Sequence, residues 1–302
     1  MATEESKARQ EATNAKARRE ISRACGVSLL GISAILDGGA DVDKGVDPTG
    51  LALLALGARG RRLLRSAYRL LDVGERSEAA ILFRVMQEYL ITSRWLLLDD
   101  EHMNVWALDD LRRRAVTIEK VASDPDLDEE TKKLILGQAE EARAKYEEFL
   151  GAKFKDDEEE VEVCPECKRP LKKKKRPSLP SVEQMAKETD LKFAYDLGYR
   201  LSSQADLHAT PLVVDYTLQE ENGTISVREE PLFSLGHFDS YAIGAHLLLD
   251  LLRPISDRWP DLQWGPHFDA VQTTLEAVRA ADPDSQSYKD KAVAKSELAE
   301  QT

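Results

Sequence analysis

Residues 77–98 read SEAAILFRVMQEYLITSRWLLL, the most apolar run in the chain. At about 100° per residue, Ser77, Ile81, Arg84, Glu88, Ile91 and Trp95 share one helical face. Arg84 and Glu88 are four apart on that face, close enough to meet. Charges on the apolar face of a central helix need partners or a purpose, because burying an unpaired ion is costly. With Arg84, Glu88 and Arg94 inside it, the run reads as a packed helix rather than a membrane span.

Moving outward, Thr49 is placed to cap a helix over 50–73, and Gly74 and Ser77 suit the stop and the next start. The short link predicts an antiparallel helical hairpin. Beyond Asp99, a helix is expected over 103–122, carrying Arg112, Arg113 and Arg114, until Asp124-Pro125 breaks it. A strongly charged helix follows over 127–150, with Asp126 or Asp128 near its start. Upstream, residues 25–36 (CGVSLLGISAIL) suit a first packed helix, and residues 1–24 a charged helix or tail. The loop DGGADVDKGVD (37–47) lacks the closing Glu of a calcium loop, so its composition reads as a helix breaker.

After 150 the composition changes. Residues 156–160 are all acidic, Cys164-Pro165-Glu166-Cys167 follows, and residues 168–176 hold seven basic side chains in nine. Residues 151–180 therefore read as a charged insertion between two helical parts, 25–150 and 181–282. In the second part, helices are expected over 181–189, 190–207, 235–252 and 264–281. Ser181 caps the first, Ser234 caps the third, and Pro254 falls past the third one's end. One β-hairpin is expected at about 212–229, where LVVDYTL and TISVREE flank Asn222-Gly223. Residues 283–302 read as a polar tail. The fold class is mostly α: a helical bundle with one small hairpin and a CxxC-containing insertion.

A net charge of -13 argues against a chain whose whole surface binds nucleic acid or anionic membrane, and leaves room for a local basic site. The opening MATEESKARQEATNAKARRE has no apolar core, and three cysteines make no disulfide framework, so a cytoplasmic protein is expected, with no membrane partner.

Three groups of residues suit chemistry. Cys164 and Cys167 have the spacing of a zinc knuckle, which implies zinc as cofactor. They are half of a four-ligand site, and a second copy of the chain could supply the rest, as in the zinc hook of SMC-like DNA-repair ATPases, which the CPxC turn resembles. A homo-oligomer is expected on that ground. Lys172, Lys173, Lys174 and Lys175 suit contact with RNA or DNA phosphates, although no aromatic residue interleaves them for base stacking. The third group joins Arg84 and Glu88 to Arg200 and His208 as candidate catalytic residues. An arginine holds a phosphate or carboxylate, and a histidine moves a proton near neutral pH. Such a set also reads as an internal brace, since structural ion pairs are common where helices pack.

FRVMQEYL (83–90), then SVEQMAKETDL (181–191) and YDLGYRLSSQADLHATP (195–211), resemble the bacterial and phage-associated domain of unknown function 5677. The resemblance spans roughly 50–250 and implies shared positions at Arg84, Glu88, Tyr199, Arg200, Ser203 and His208, with Tyr199 and Ser203 as binding residues. A wider resemblance is to HEPN domains, helical bundles that often dimerise and often cut RNA without metal. Their motif is an arginine, four to six residues, then a histidine; here seven residues separate Arg200 from His208. That resemblance implies an RNA-processing or phage-defence protein. The other reading is a non-catalytic interaction or assembly module, zinc-linked through the CPEC insertion.

Overall fold

In the structure, a computed structural model, residues 4–37, 47–153, 178–196, 217–219, 225–227 and 239–281 are described. They are mostly helical. The helices are α1 (Glu4–Ile32), α2 (Pro48–Asp72), α3 (Arg76–Leu96), α4 (Asp100–Ala122), α5 (Glu129–Lys153), α6 (Val182–Glu188), α7 (Lys192–Ala194), α8 (Ser240–Arg258) and α9 (Gly265–Ala280). Strands β1 (Thr217–Gln219) and β2 (Ile225–Val227) pair antiparallel, with Thr217 opposite Val227 and Gln219 opposite Ile225. The rest of the expected hairpin span, the CPEC and lysine segment and the polar tail lie outside the described residues.

The chain divides into two compact units. One holds residues 1–94 and 186–302, the other 95–185. In the first, α8 is the hub, packing on α1, α2 and α9. Leu248, Leu249, Leu252 and Ile255 of α8 join Leu29, Leu53, Leu64, Met86, Phe268 and Leu275 in one core. Close approach of α2 to α8 depends on two glycines. A Cβ at Gly57 would stand 2.5 Å from Ile255 Cδ1, and one at Gly60 2.7 Å from Leu251 Cδ1. The second unit is built on the antiparallel pair α4 and α5. Their seam uses Ala115, Ala122 and Ala139, small enough to bring two backbones together, with Leu108 and Tyr146 also buried. Glu119 accepts from Arg143 across the pair.

Several element ends differ from what local sequence implies. The charged stretch and most of the apolar stretch after it form one helix, α1, which buries Ser22, Cys25 and Leu29 only in its second half, and a 3₁₀ turn, Ser33–Asp37, follows it. Helix α2 is capped by Asp47, whose carboxylate accepts from Gly50 N at 2.8 Å, and Thr49 is already helical. Pro48 decides this, because proline is well placed at the first helical position, where its missing N–H costs nothing. Helix α8 is capped by Asp239 and not Ser234, and it runs through Pro254 to Arg258. An internal proline forfeits one backbone hydrogen bond. Here Leu251, Leu252 and Ile255, all buried around it, carry the helix past that loss.

Two polar nodes fasten the first unit. Arg23 of α1 grips both carboxylate oxygens of Asp72 at 2.9 and 2.7 Å, and Tyr241 Oη donates to the same Asp72 at 2.7 Å. The hydrogen bond from Arg23 holds the Asp72 carboxyl below the usual range, and burial with Asp72 beside it pushes Tyr241 up to about 12. In the other node, buried Arg61 reaches the Leu30 carbonyl and Asp37.

Candidate functional site

Helix α3 presents the charged positions its sequence implies, but grades them along its length. Ile91 is fully buried, while Arg84 and Glu88 are half-buried. The side chain that reaches across is their neighbour. Gln87, buried, donates through Nε2 to the Ala194 carbonyl at 2.6 Å. Gln87 lies one turn from Arg84, so the α3 surface beside Arg84 is fastened to the end of α7. Just past that point Lys192 pairs with Asp196 and stands 5.6 Å from the centroid of the Tyr195 ring. The Lys192–Asp196 pair spans four residues, one turn of helix.

Tyr199, Arg200, Ser203 and His208 lie outside the described residues, as do Cys164, Cys167 and Lys172 to Lys175. Among the described residues no group of three or more His, Cys, Asp or Glu side chains is arranged to hold a metal. Cys25 is buried, and burial pushes its thiol up, away from a reactive thiolate. No helix among the described residues is long and apolar enough to cross a membrane.

A family model described as "Family of unknown function (DUF5677)" matches residues 51–225, more than half of the chain. The chain belongs to that family. The DUF5677 span runs from α2 to the first residue of β2, so it takes in Arg84 and Glu88 together with the segment that holds Tyr199, Arg200, Ser203 and His208. The DUF5677 match brings a family and a span, with no reaction attached. No curated protein and no solved structure matches the chain.

The other histidines divide by environment. His102 stacks on Trp95 at 3.9 Å and 8°, and its Nδ1 lies 2.7 Å from the Trp95 carbonyl, so that nitrogen carries the proton and the ring is a structural piece. His267 is exposed. His246 is different, and spacing between histidines alone misses it. The signal is Asp250, four residues on along α8. Burial holds the Asp250 carboxyl above the usual range, against the pull of Arg94, His246 and Arg253. Burial lowers His246, helped by Arg279 and opposed by Asp250 and Glu276.

Proposed function

We propose that this protein acts on RNA, through a polar centre formed by Arg84 and Glu88 of α3 with Arg200 and His208, as a HEPN-like processing or phage-defence protein of the cytoplasm. One observation carries the reading: the 2.6 Å hydrogen bond from Gln87 to the Ala194 carbonyl, which fastens the chain leading into Tyr195–His208 beside Arg84. In the reaction, the RNA 2′-oxygen attacks the adjacent phosphorus. Its proton passes to His208 as the P–O bond to the departing 5′-oxygen breaks; that oxygen takes a proton from water, and His208 returns its own to the hydroxide left behind. The products are a 2′,3′-cyclic phosphate and a 5′-hydroxyl. Arg200 neutralises the charge that builds on the phosphoryl oxygens, Arg84 steadies the adjacent phosphate, and Tyr199 and Ser203 contact the flanking nucleotide. Glu88 holds Arg84 in place.

Arg200→Ala and His208→Ala are expected to abolish cleavage of a mixed RNA substrate by the full chain, with helical content and melting temperature unchanged. Variants that cleave at the parental rate, or that lose only stability, would make the group a brace and end the catalytic reading.

A second reading has its own support. The α4–α5 pair leaves Leu134 at 66% exposed and Val116, Val121 and Leu136 each a little under half exposed, and the CPEC insertion follows α5. In this reading the insertion joins copies of the chain through zinc shared by Cys164 and Cys167 of each, and the lysine run lies along an RNA or DNA partner. Purified protein is then expected to carry about one zinc per two chains, the number of thiolates one tetrahedral ion needs. A chelator or Cys164→Ser should lower the oligomer mass seen by light scattering. A mass indifferent to both treatments removes the zinc-linked assembly.

A further inference from the structure

The polar seam between α8 and α9 has a register that its hydrogen bonds define. Arg253 of α8 reaches Asp269 at 3.3 Å and Gln272 at 2.7 Å on α9, and Gln272 donates to Glu276 at 2.9 Å. The helices run antiparallel through a short turn, so moving seven residues back from Arg253 to His246 moves seven forward on α9, to Glu276 and Arg279. The same two residues are the α9 charges that act on His246. His246 and Asp250 are both half-buried, one turn apart on α8, and Arg94 in the last turn of α3 is near enough to act on the Asp250 carboxyl. On the other helices packed on α8, several charged groups are engaged away from His246. Arg23 holds Asp72, Arg61 and Arg65 hold Asp37, and Arg18 donates to the Ala281 carbonyl just past α9.

We propose that His246 and Asp250, set between Arg94 of α3 and the Glu276–Arg279 turn of α9, form a proton-operated catch that holds α9 against α8 when His246 is neutral and loosens it when His246 is charged. A neutral imidazole is tolerated half-buried beside Arg279, whereas an imidazolium there loses solvation and is repelled by that guanidinium. Asp250, whose pull on the charged ring exceeds the push of Arg279, and Glu276 offset that repulsion, so loss of solvation is what leaves the imidazolium disfavoured in the docked state.

The sign follows from linkage. His246 is lowered from its ordinary 6.5, so the loosened state takes the proton more readily. The docked state is therefore fully favoured above 6.5 and loses ground as pH falls from 6.5 toward the lower midpoint of the docked form. Asp250 acts oppositely and at lower pH. Its midpoint is raised above 3.8, so the docked state regains stability as pH falls through that raised midpoint toward 3.8. Docking is consequently weakest in mildly acidic solution, between the two windows.

The test uses the full chain, with imidazole NMR titration and hydrogen exchange of α9 amides at about pH 7.5 and about pH 5.5, corrected for intrinsic exchange. The His246 resonance is expected to titrate below 6.5. Asp250→Asn should lower its midpoint further, and Arg279→Gln should raise it. Protection of α9 should fall on acidification relative to α2 in the parent, and stay level in His246→Gln. Arg279 is exposed, so its variant tests the idea even where His246→Gln fails to fold. A His246 midpoint at or above 6.5 that ignores both neighbouring variants, or α9 protection that is level with pH in the parent, overturns the catch.

Discussion

Phe268→Ala is expected to lower the stability of the first unit by about 3–5 kcal/mol, the range for truncating a buried aromatic side chain. Phe268 is fully buried on α9. It sits in the same core as Leu29, Leu248, Leu252 and Leu275, with its ring 5.8 Å from that of Trp264. Truncation removes the transfer free energy of the ring and leaves a hollow that helices cannot fully close. Trp264 fluorescence reports the loss locally in urea unfolding. Far-UV circular dichroism reports the whole chain, and the two traces need not coincide in a protein of two compact units. Phe193 is the control: it is 75% exposed, and Phe193→Ala should move the midpoint by no more than about 0.5 kcal/mol. A Phe268→Ala variant within about 1 kcal/mol of the parent would mean that α9 does not close this core. The proton catch would then have nothing to hold.

Where hydrophobic spacing was strong, the fold was legible. Helix α3 follows from its apolar run, and the α2–α3 hairpin from Gly74, which takes φ +95 at the turn. Legibility failed where two local signals compete. Thr49 and Asp47 are both good caps, and Pro48 between them settles the choice because it belongs at the first helical position. Pro254 looks like a stop, yet a helix buried on several sides tolerates it, and burial is not a local property. The site shows the same limit. Arg84 and Glu88 stand out because charges in an apolar run are conspicuous. Gln87, which makes the long-range bond, carries no charge to draw notice. His246 carries no signal of its own, because its meaning lies in Asp250 and in residues of another helix. Arg61 sits among Arg59, Arg62 and Arg65 and reads as one more solvated cation.

Arg61→Ala should cost about 2–4 kcal/mol, far more than an ordinary surface arginine, because of what the guanidinium completes. Arg61 is 6% exposed, and its Nε and Nη2 donate to the Leu30 carbonyl at 3.2 and 2.9 Å. That carbonyl is in the last turn of α1, where helix acceptors run out of backbone donors. Its neighbour, the Leu29 carbonyl, is met by Ser33 Oγ at 2.6 Å. Arg61 thus caps α1 from the side while its Nη1 holds Asp37, at the end of the 3₁₀ turn that follows. Alanine removes both bonds to Leu30 and leaves a buried acceptor unmet, the costly half of a broken hydrogen bond. Arg61→Lys separates shape from charge. An ammonium keeps the ion pair with Asp37 but lacks the planar fork that serves Leu30 at the same time, so lysine should fall between parent and alanine. Asp37 adds a pH signature. The hydrogen bond from Arg61 holds its carboxyl below the ordinary 3.8, so its contribution is present above that value and fades as pH falls through the lower, folded midpoint. Urea midpoints at neutral pH and at about pH 3 should therefore converge for Arg61→Ala and parent, as protonation removes the part of the difference that belongs to the pair. The residue that persists at low pH belongs to the Leu30 carbonyl. If the two curves stay parallel down to acid, the pair contributes nothing and Arg61 acts on α1 as a cap alone.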